Sequence, residues 1–150
     1  MKRALINTDG ACSRNPGGRG GWAYMVRIGV DVIERAGSVP EPTTSNRMEL
    51  TAVIEALETI QDRPCKIDLV SDGKYVVDRI NDWRHSWRKK GWITSNKTPV
   101  ANVDLWQAID ELTEQHEIQC GWVEGHSGDP DNERCNELAE QRLIEIVSPA

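Results

Sequence analysis

Apolar and polar positions fall in short blocks that delimit the elements one at a time. Arg3–Thr8 is mostly apolar and ends at Asp9-Gly10, a turn signal, so it predicts a short strand. The stretch Asn15-Pro16-Gly17-Gly18-Arg19-Gly20-Gly21 predicts a loop. Trp22–Ile28 and Val30–Val39 follow as two β-rich segments divided by Gly29, completing an antiparallel meander. After Pro40-Glu41-Pro42 the period changes. Met48, Leu50, Val53, Ile54, Leu57 and Ile60 recur at helical spacing, with Ser45 or Asn46 placed to cap. Lys66–Val70 predicts a strand ending at Ser71-Asp72-Gly73, and Lys74–Trp83 a helix. Val103–Glu114 reads as a helix with Leu105, Trp106, Ile109 and Leu112 inward, Ile118–Val123 as a last strand, and Asn132–Ile146 as a final helix. Three antiparallel strands followed by βαβ-like units predict one α/β domain over residues 1–150, a mixed sheet with helices packed on it.

The chain's 150 residues suit a single core, and its net charge of −6 argues against binding nucleic acid or membrane by bulk positive charge. No apolar run approaches the roughly 18 residues of a membrane span, and the start lacks the stretch of a signal peptide, so the expected compartment is the cytoplasm. Cys12, Cys65, Cys120 and Cys135 stand far apart and read as scattered thiols. The charge is unevenly spread, however. Residues 83–97 hold Arg84, Arg88, Lys89, Lys90 and Lys97 with no acid, leaving −11 on the remainder. Trp83, Trp87 and Trp92 lie in this same segment, although the chain has only six Trp and no Phe.

Candidate chemistry centres on acids near element ends. Asp9 and Asp72 end two predicted strands and converge if those strands are neighbours, while Glu49 falls in the first turn of the first long helix. Each has an ordinary structural explanation as a turn or helix-start residue. As a set they suit a hard cation such as Mg²⁺, which prefers oxygen ligands.

Five blocks, in order along nearly the whole chain, carry a family resemblance. Thr8-Asp9-Gly10, Asn46-Arg47-Met48-Glu49-Leu50, Asp72-Gly73-Lys74-Tyr75-Val76, Gly125-His126-Ser127-Gly128 and Asn132-Glu133-Arg134-Cys135-Asn136-Glu137-Leu138-Ala139 resemble the signature blocks of type 1 ribonuclease H. The resemblance implies a five-stranded mixed sheet, three strands antiparallel and then two parallel, flanked by helices. It further implies hydrolysis of the RNA strand of RNA–DNA hybrids by two Mg²⁺ ions, with Mn²⁺ able to substitute, leaving 5′-phosphate and 3′-hydroxyl ends. The matched metal positions are Asp9, Glu49, Asp72 and Asn136, and His126 matches a mobile histidine that assists proton transfer or product release. A monomer without a membrane partner is expected.

The family pattern has aspartate where this chain has Asn136. An amide offers one oxygen but no charge, and its NH₂ cannot ligate Mg²⁺, so these four positions carry −3 instead of −4. The expectation is a chain that binds hybrid and cleaves it slowly, with Asn136→Asp restoring cleavage. The isosteric change inside an intact motif favours an introduced inactivation over a natural variant, and a non-catalytic hybrid-binding module is the alternative. A transposase or resolvase on the same fold is disfavoured by the short chain and the Trp-rich basic segment.

For substrate contacts, Tyr75, Trp83 and Trp87 with Lys89 and Lys90 match a channel for the DNA strand, whereas Trp92 reads as core. Thr44 and Asn102 match a DNA-phosphate pocket, with Pro42 where some relatives use a basic residue. The Cys12-Ser13-Arg14-Asn15 loop lacks the G-K-[ST] ending of a P-loop. Cys12, Arg14 and Asn15 are instead expected to meet the RNA strand, where 2′-hydroxyls separate RNA from DNA, and Asn46 joins them from across the site.

Overall fold

The computed structural model describes residues 2–61, 64–71, 73–80, 87, 89–93, 97, 100–114, 116–122 and 129–147. Its strands are β1 (Lys2–Cys12), β2 (Gly20–Ile28), β3 (Asp31–Val39), β4 (Cys65–Ser71) and β5 (Glu117–Trp122). They form one sheet in the order β3-β2-β1-β4-β5, antiparallel across β3-β2-β1 and parallel across β1-β4-β5. This is the expected mixed sheet. Its helices are α1 (Ser45–Thr59), α2 (Lys74–Asp78), α3 (Val103–Leu112) and α4 (Pro130–Val147). No helix among the described residues is long and apolar enough to cross a membrane.

β1 is the central strand, and it outruns its prediction. Asp9-Gly10 is extended backbone paired with Ala23 and Trp22 of β2, not a turn. Side chains alternate across the strand. Ala4 and Ile6 enter the main core under α1, whereas Ala11 faces Cys135, Ala139 and Leu143 of α4. Gly10 is required by close approach: a Cβ there would overlap the Met48–Glu49 backbone, so α1 lies flush on β1 at this level.

The cap of α1 falls one residue before Ser45 and two before Asn46, the expected positions. Thr44 is the cap, extended at φ −136° and ψ 159°, and its hydroxyl accepts the Arg47 N–H at 3.1 Å. Glu49 therefore sits beyond the first turn, which holds no acid. Leu50, Val53, Leu57 and Ile60 are fully buried, each stabilising by about 1.5–3 kcal/mol relative to exposure. α3 begins at Asn102, whose left-handed φ of 59° breaks the chain just before the helix. Trp106 and Ile109 are buried, whereas Leu105 and Leu112 lie half-buried at the core edge. Trp87 and Trp92 also pack against this core, Trp87 edge-on to Trp106 at 5.5 Å.

α4 covers the opposite face with small residues, and Gly21 of β2 touches it directly, since a Cβ there would overlap the Ala139 carbonyl. Two ion pairs bind its exposed flank. Arg27 of β2 makes a bidentate bridge to Asp131 at 2.7 and 2.8 Å, and Arg134 reaches Glu34 of β3 at 3.1 Å.

Candidate active site

Asp9 emerges from the carboxyl-terminal half of β1, where α1 and α4 both close on the sheet, and it is 3% exposed. Its Oδ1 accepts the Gly10 N–H at 2.9 Å, and its Oδ2 accepts an N–H from the Asn136 amide at 2.8 Å. The charge is felt nearby. Burial first, and then the Asp9 carboxylate, push the Cys135 thiol up to about 12. That thiol stays protonated and donates to the Asn7 carbonyl at 3.5 Å.

Glu49 comes from α1 and is also buried. The Ser71 hydroxyl donates to its Oε2 at 3.0 Å and accepts the Gly73 N–H at 3.0 Å. Thr8 of β1 stands opposite Ser71 of β4 in the parallel register, so the neighbouring strands required by the sequence argument are present. Asp72 itself, with His126 and Trp83, lies outside the described residues. Among the described residues no three His, Cys, Asp or Glu side chains are gathered to hold a metal.

The residues present nonetheless suit a hard cation. The carboxylates of Asp9 and Glu49 and the amide oxygen of Asn136 are all hard oxygen donors. The 2.8 Å contact is informative here. A carboxylate at position 136 that close to Asp9 would need a cation or a proton between the two oxygens, and the Asn136 N–H fills that electrostatic role. A half-turn of the amide exchanges the N–H for the oxygen.

The expected substrate contacts form two groups around this centre. In the first, the 13–19 loop is joined to the start of α1. Asn15 Oδ1 accepts the Ser45 N–H at 3.2 Å, Gly17 N–H donates to the Thr43 carbonyl, and Thr43 N–H donates to that of Gly18. The Cys12 thiol donates toward the carbonyls of Arg14, Gly18 and Thr43. Arg14, Asn15 and Asn46 are exposed. In the second group, Asn102 donates to the Tyr75 hydroxyl at 3.0 Å, as does the Trp106 indole at 3.2 Å. Asn102 Oδ1 accepts from Arg47, whose guanidinium also forks onto Asp104 at 2.8 and 3.1 Å. Thr44 stands between the groups, its hydroxyl oxygen committed to the helix cap. Tyr75 and Trp87 line a cleft of about 170 Å³ with Arg79, Val100 and Ala101, and Lys89 and Lys90 are exposed nearby in the chain. A concavity of about 510 Å³ lies at the other end of α1 and is lined by Glu58, Glu111 and Glu114, which suits no polyanion.

Sequence reasoning missed Ser71, Gly73, Arg47 and Arg79. Arg79 had a readable signal: four residues beyond Tyr75 on a predicted helix, it stacks at 4.1 Å over that ring. The Arg47–Asp104 pairing spans 57 residues and had none.

A mixed-sheet α/β domain with buried oxygen donors at the carboxyl-terminal half of its central strand is thus what fold and site define. The chain belongs to the ribonuclease H family, type 1: the RNase H family model matches residues 1–144. It is 49% identical over 146 residues to the Ribonuclease H of Alcanivorax borkumensis, covering 97% of this chain and 95% of that protein. Among solved structures it resembles LC9-RNase H1, described as a type 1 RNase H with the type 2 active-site motif. The TM-score is 0.82 at 30% identity, covering 95% of this chain and 72% of that one. It shares its fold with the foamy viral protease-reverse transcriptase solved in complex with RNA/DNA hybrid. There the TM-score is 0.76 at 18% identity, over 95% of this chain and 20% of that one.

Proposed function

We propose that the chain hydrolyses the RNA strand of RNA–DNA hybrids, leaving 5′-phosphate and 3′-hydroxyl ends. The observation that carries this reading is the Asp9–Asn136 pair at the carboxyl-terminal half of β1 in a chain that matches the family over residues 1–144. Two relatives lend support, one named Ribonuclease H and one viral enzyme solved on a hybrid.

Asp9, Glu49, Asp72 and the Asn136 oxygen would hold two Mg²⁺ ions, which supply charge neutralisation at the scissile phosphate and acidify the attacking water. The water oxygen gives a proton to solvent and bonds to phosphorus as the bond to the 3′-oxygen breaks. His126 delivers a proton to that departing oxygen. Asn15 and Asn46 present amides to the 2′-hydroxyls of the RNA strand. Tyr75, Trp83 and Trp87 offer apolar faces to deoxyribose, and Lys89 and Lys90 meet the flanking phosphates. In the phosphate pocket the Thr44 hydroxyl still has its proton to give, and the Asn102 amide has a second N–H beyond the one on Tyr75. The reading includes a monomer acting in the cytoplasm.

Asn136 lowers the charge available to the ions, and its N–H must release Asp9 before its oxygen can ligate. Cleavage is therefore slow at limiting Mg²⁺, and the alternative is a module that binds hybrid without cutting it. The test is a labelled hybrid beside duplex DNA and duplex RNA, across a Mg²⁺ series and with Mn²⁺, for this chain and for Asn136→Asp. Metal-dependent cutting of the RNA strand of the hybrid alone supports the proposal. Cutting of duplex DNA overturns it, and binding without cutting at any metal concentration selects the module.

A further inference from the structure

Ser71 ends β4 as one of its fully buried residues, where an apolar side chain would be the ordinary choice for a position facing the main core. Its hydroxyl both accepts and donates. The oxygen accepts the Gly73 N–H at 3.0 Å, so its own proton is directed to Glu49 Oε2, also at 3.0 Å. The bond joins two elements 22 residues apart, the end of a strand and the second turn of α1. Ser71 and Gly73 flank Asp72 in the chain, so the same hydroxyl ties Glu49 to the segment that carries another expected ligand.

Gly73 supplies an independent observation. Its backbone, at φ −86° and ψ 100°, is open to any residue, so glycine is not demanded by conformation. The demand is for space, since a Cβ there would lie 2.5 Å from Glu49 Oε2 and 2.9 Å from its Cδ. The group displaced by such a Cβ is the Glu49 carboxylate, the tip of a flexible side chain.

We propose that Ser71 is a positioning residue that fixes the Glu49 carboxylate at the end of β4 for divalent-cation binding, with Gly73 leaving the space for it. This deepens the reading above and rests on Glu49 being a ligand. Such outer partners orient a ligating carboxylate and commonly change metal affinity by about 10–100-fold when removed.

The probe is Mn²⁺, titrated into the free protein and followed by loss of the free-ion paramagnetic resonance signal. Half-saturating Mg²⁺ for cleavage and hybrid affinity in EDTA are measured beside it. Ser71→Ala is expected to weaken Mn²⁺ binding by about tenfold or more and raise half-saturating Mg²⁺ in parallel, with hybrid affinity in EDTA unchanged. Ser71→Thr, which keeps the hydroxyl, recovers the affinity. Gly73→Ala weakens Mn²⁺ binding in the same direction with little change in Tm, and it decides the matter if Ser71→Ala does not fold. A merely structural Ser71 would lower Tm and leave the affinity of the folded protein for Mn²⁺ where it was. Wild-type Mn²⁺ affinity in Ser71→Ala, or in Gly73→Ala if only that variant folds, overturns the proposal. Failure of the wild type to cut hybrid overturns the proposed function instead, and the Mn²⁺ titration reads separately from it.

Discussion

On one face of the sheet, α1 and α3 bury Leu50, Val53, Leu57, Trp106 and Ile109 against Ile6, Val26 and Leu69. On the other, among the described residues, α4 offers Cys135, Ala139 and Leu143, with Leu138 at the edge, to Ala11, Ala23 and Met25, and it is held at its flank by Arg27–Asp131 and Arg134–Glu34. Glu49 rides on the first helix and Asn136 on the second, so two of the expected ligands are attached to the sheet by different physics. Apolar burial holds α1 with little dependence on salt or pH. Half-exposed ion pairs hold α4, and these weaken with ionic strength. The fourth position should therefore be the softer one, both in placement and, with an amide, in charge.

The hardest test of that contrast removes apolar volume from each face. Leu57→Ala should cost about 2–5 kcal/mol in urea denaturation, and Leu143→Ala measurably less, because α4 has fewer large neighbours to leave a cavity among. Equal losses would erase the distinction. Gly21→Ala attacks α4 alone: its Cβ overlaps the Ala139 carbonyl, and the overpacking should cost about 1–3 kcal/mol. It should also loosen the Asn136–Asp9 contact, read as a shift of the Asn136 side-chain amide resonance in NMR. A fixed resonance would mean that α4 does not carry Asn136 with it.

Asn136→Asp sharpens the comparison from the side of charge. It should raise cleavage at limiting Mg²⁺ by roughly tenfold, the low end of effects seen for metal-site residues, with the gain shrinking as Mg²⁺ saturates. A gain that persists unchanged at saturation would place the effect in the chemistry and not in cation binding.

The smallest expected effects are in acid. Burial holds His116 below its ordinary value, so the folded state keeps it neutral with Nδ1 accepting the Cys65 N–H. The unfolded chain takes up the proton first, and stability falls as pH drops below 6.5 toward the lower folded value. On the other face, the Arg27 hydrogen bond holds the Asp131 carboxyl below its usual range. That contribution is present above the unfolded value of about 3.9 and is lost only as pH falls through the depressed one. Denaturation midpoints from pH 7 to 3 should thus show two arms. His116→Gln flattens the upper one, and Asp131→Asn the lower. A single arm insensitive to either variant would count against this assignment.

Much of this was readable in the chain. The change from β to helical period at Pro40 placed the meander, and Met48, Val53 and Leu57 placed the buried side of α1, because burial on one side leaves a period in the sequence. Asp9 was found for the wrong local reason. Asp-Gly usually turns a chain, but here the β2 partners Ala23 and Trp22 and the flush packing of α1 keep it extended. Thr44 displaced Ser45 and Asn46 as cap because the loop fixes where the helix begins, through Gly17, Gly18 and Asn15. Ser71, Arg27 and Asp131 stayed hidden. Their partners are set by strand order, and nothing at spacings of 22 or 104 residues announces a pairing.

The thiols allow the site to be watched directly. Cys135 and Cys65 are buried, and Cys135 is held protonated, whereas Cys12 is partly open on the loop beside Arg14 and Asn15. An alkylating reagent applied to the native protein should therefore modify Cys12 far faster than either of these two. Bound hybrid would cover that loop, so the labelling rate at Cys12 gives an occupancy gauge that needs no turnover, suited to a chain whose cutting is slow.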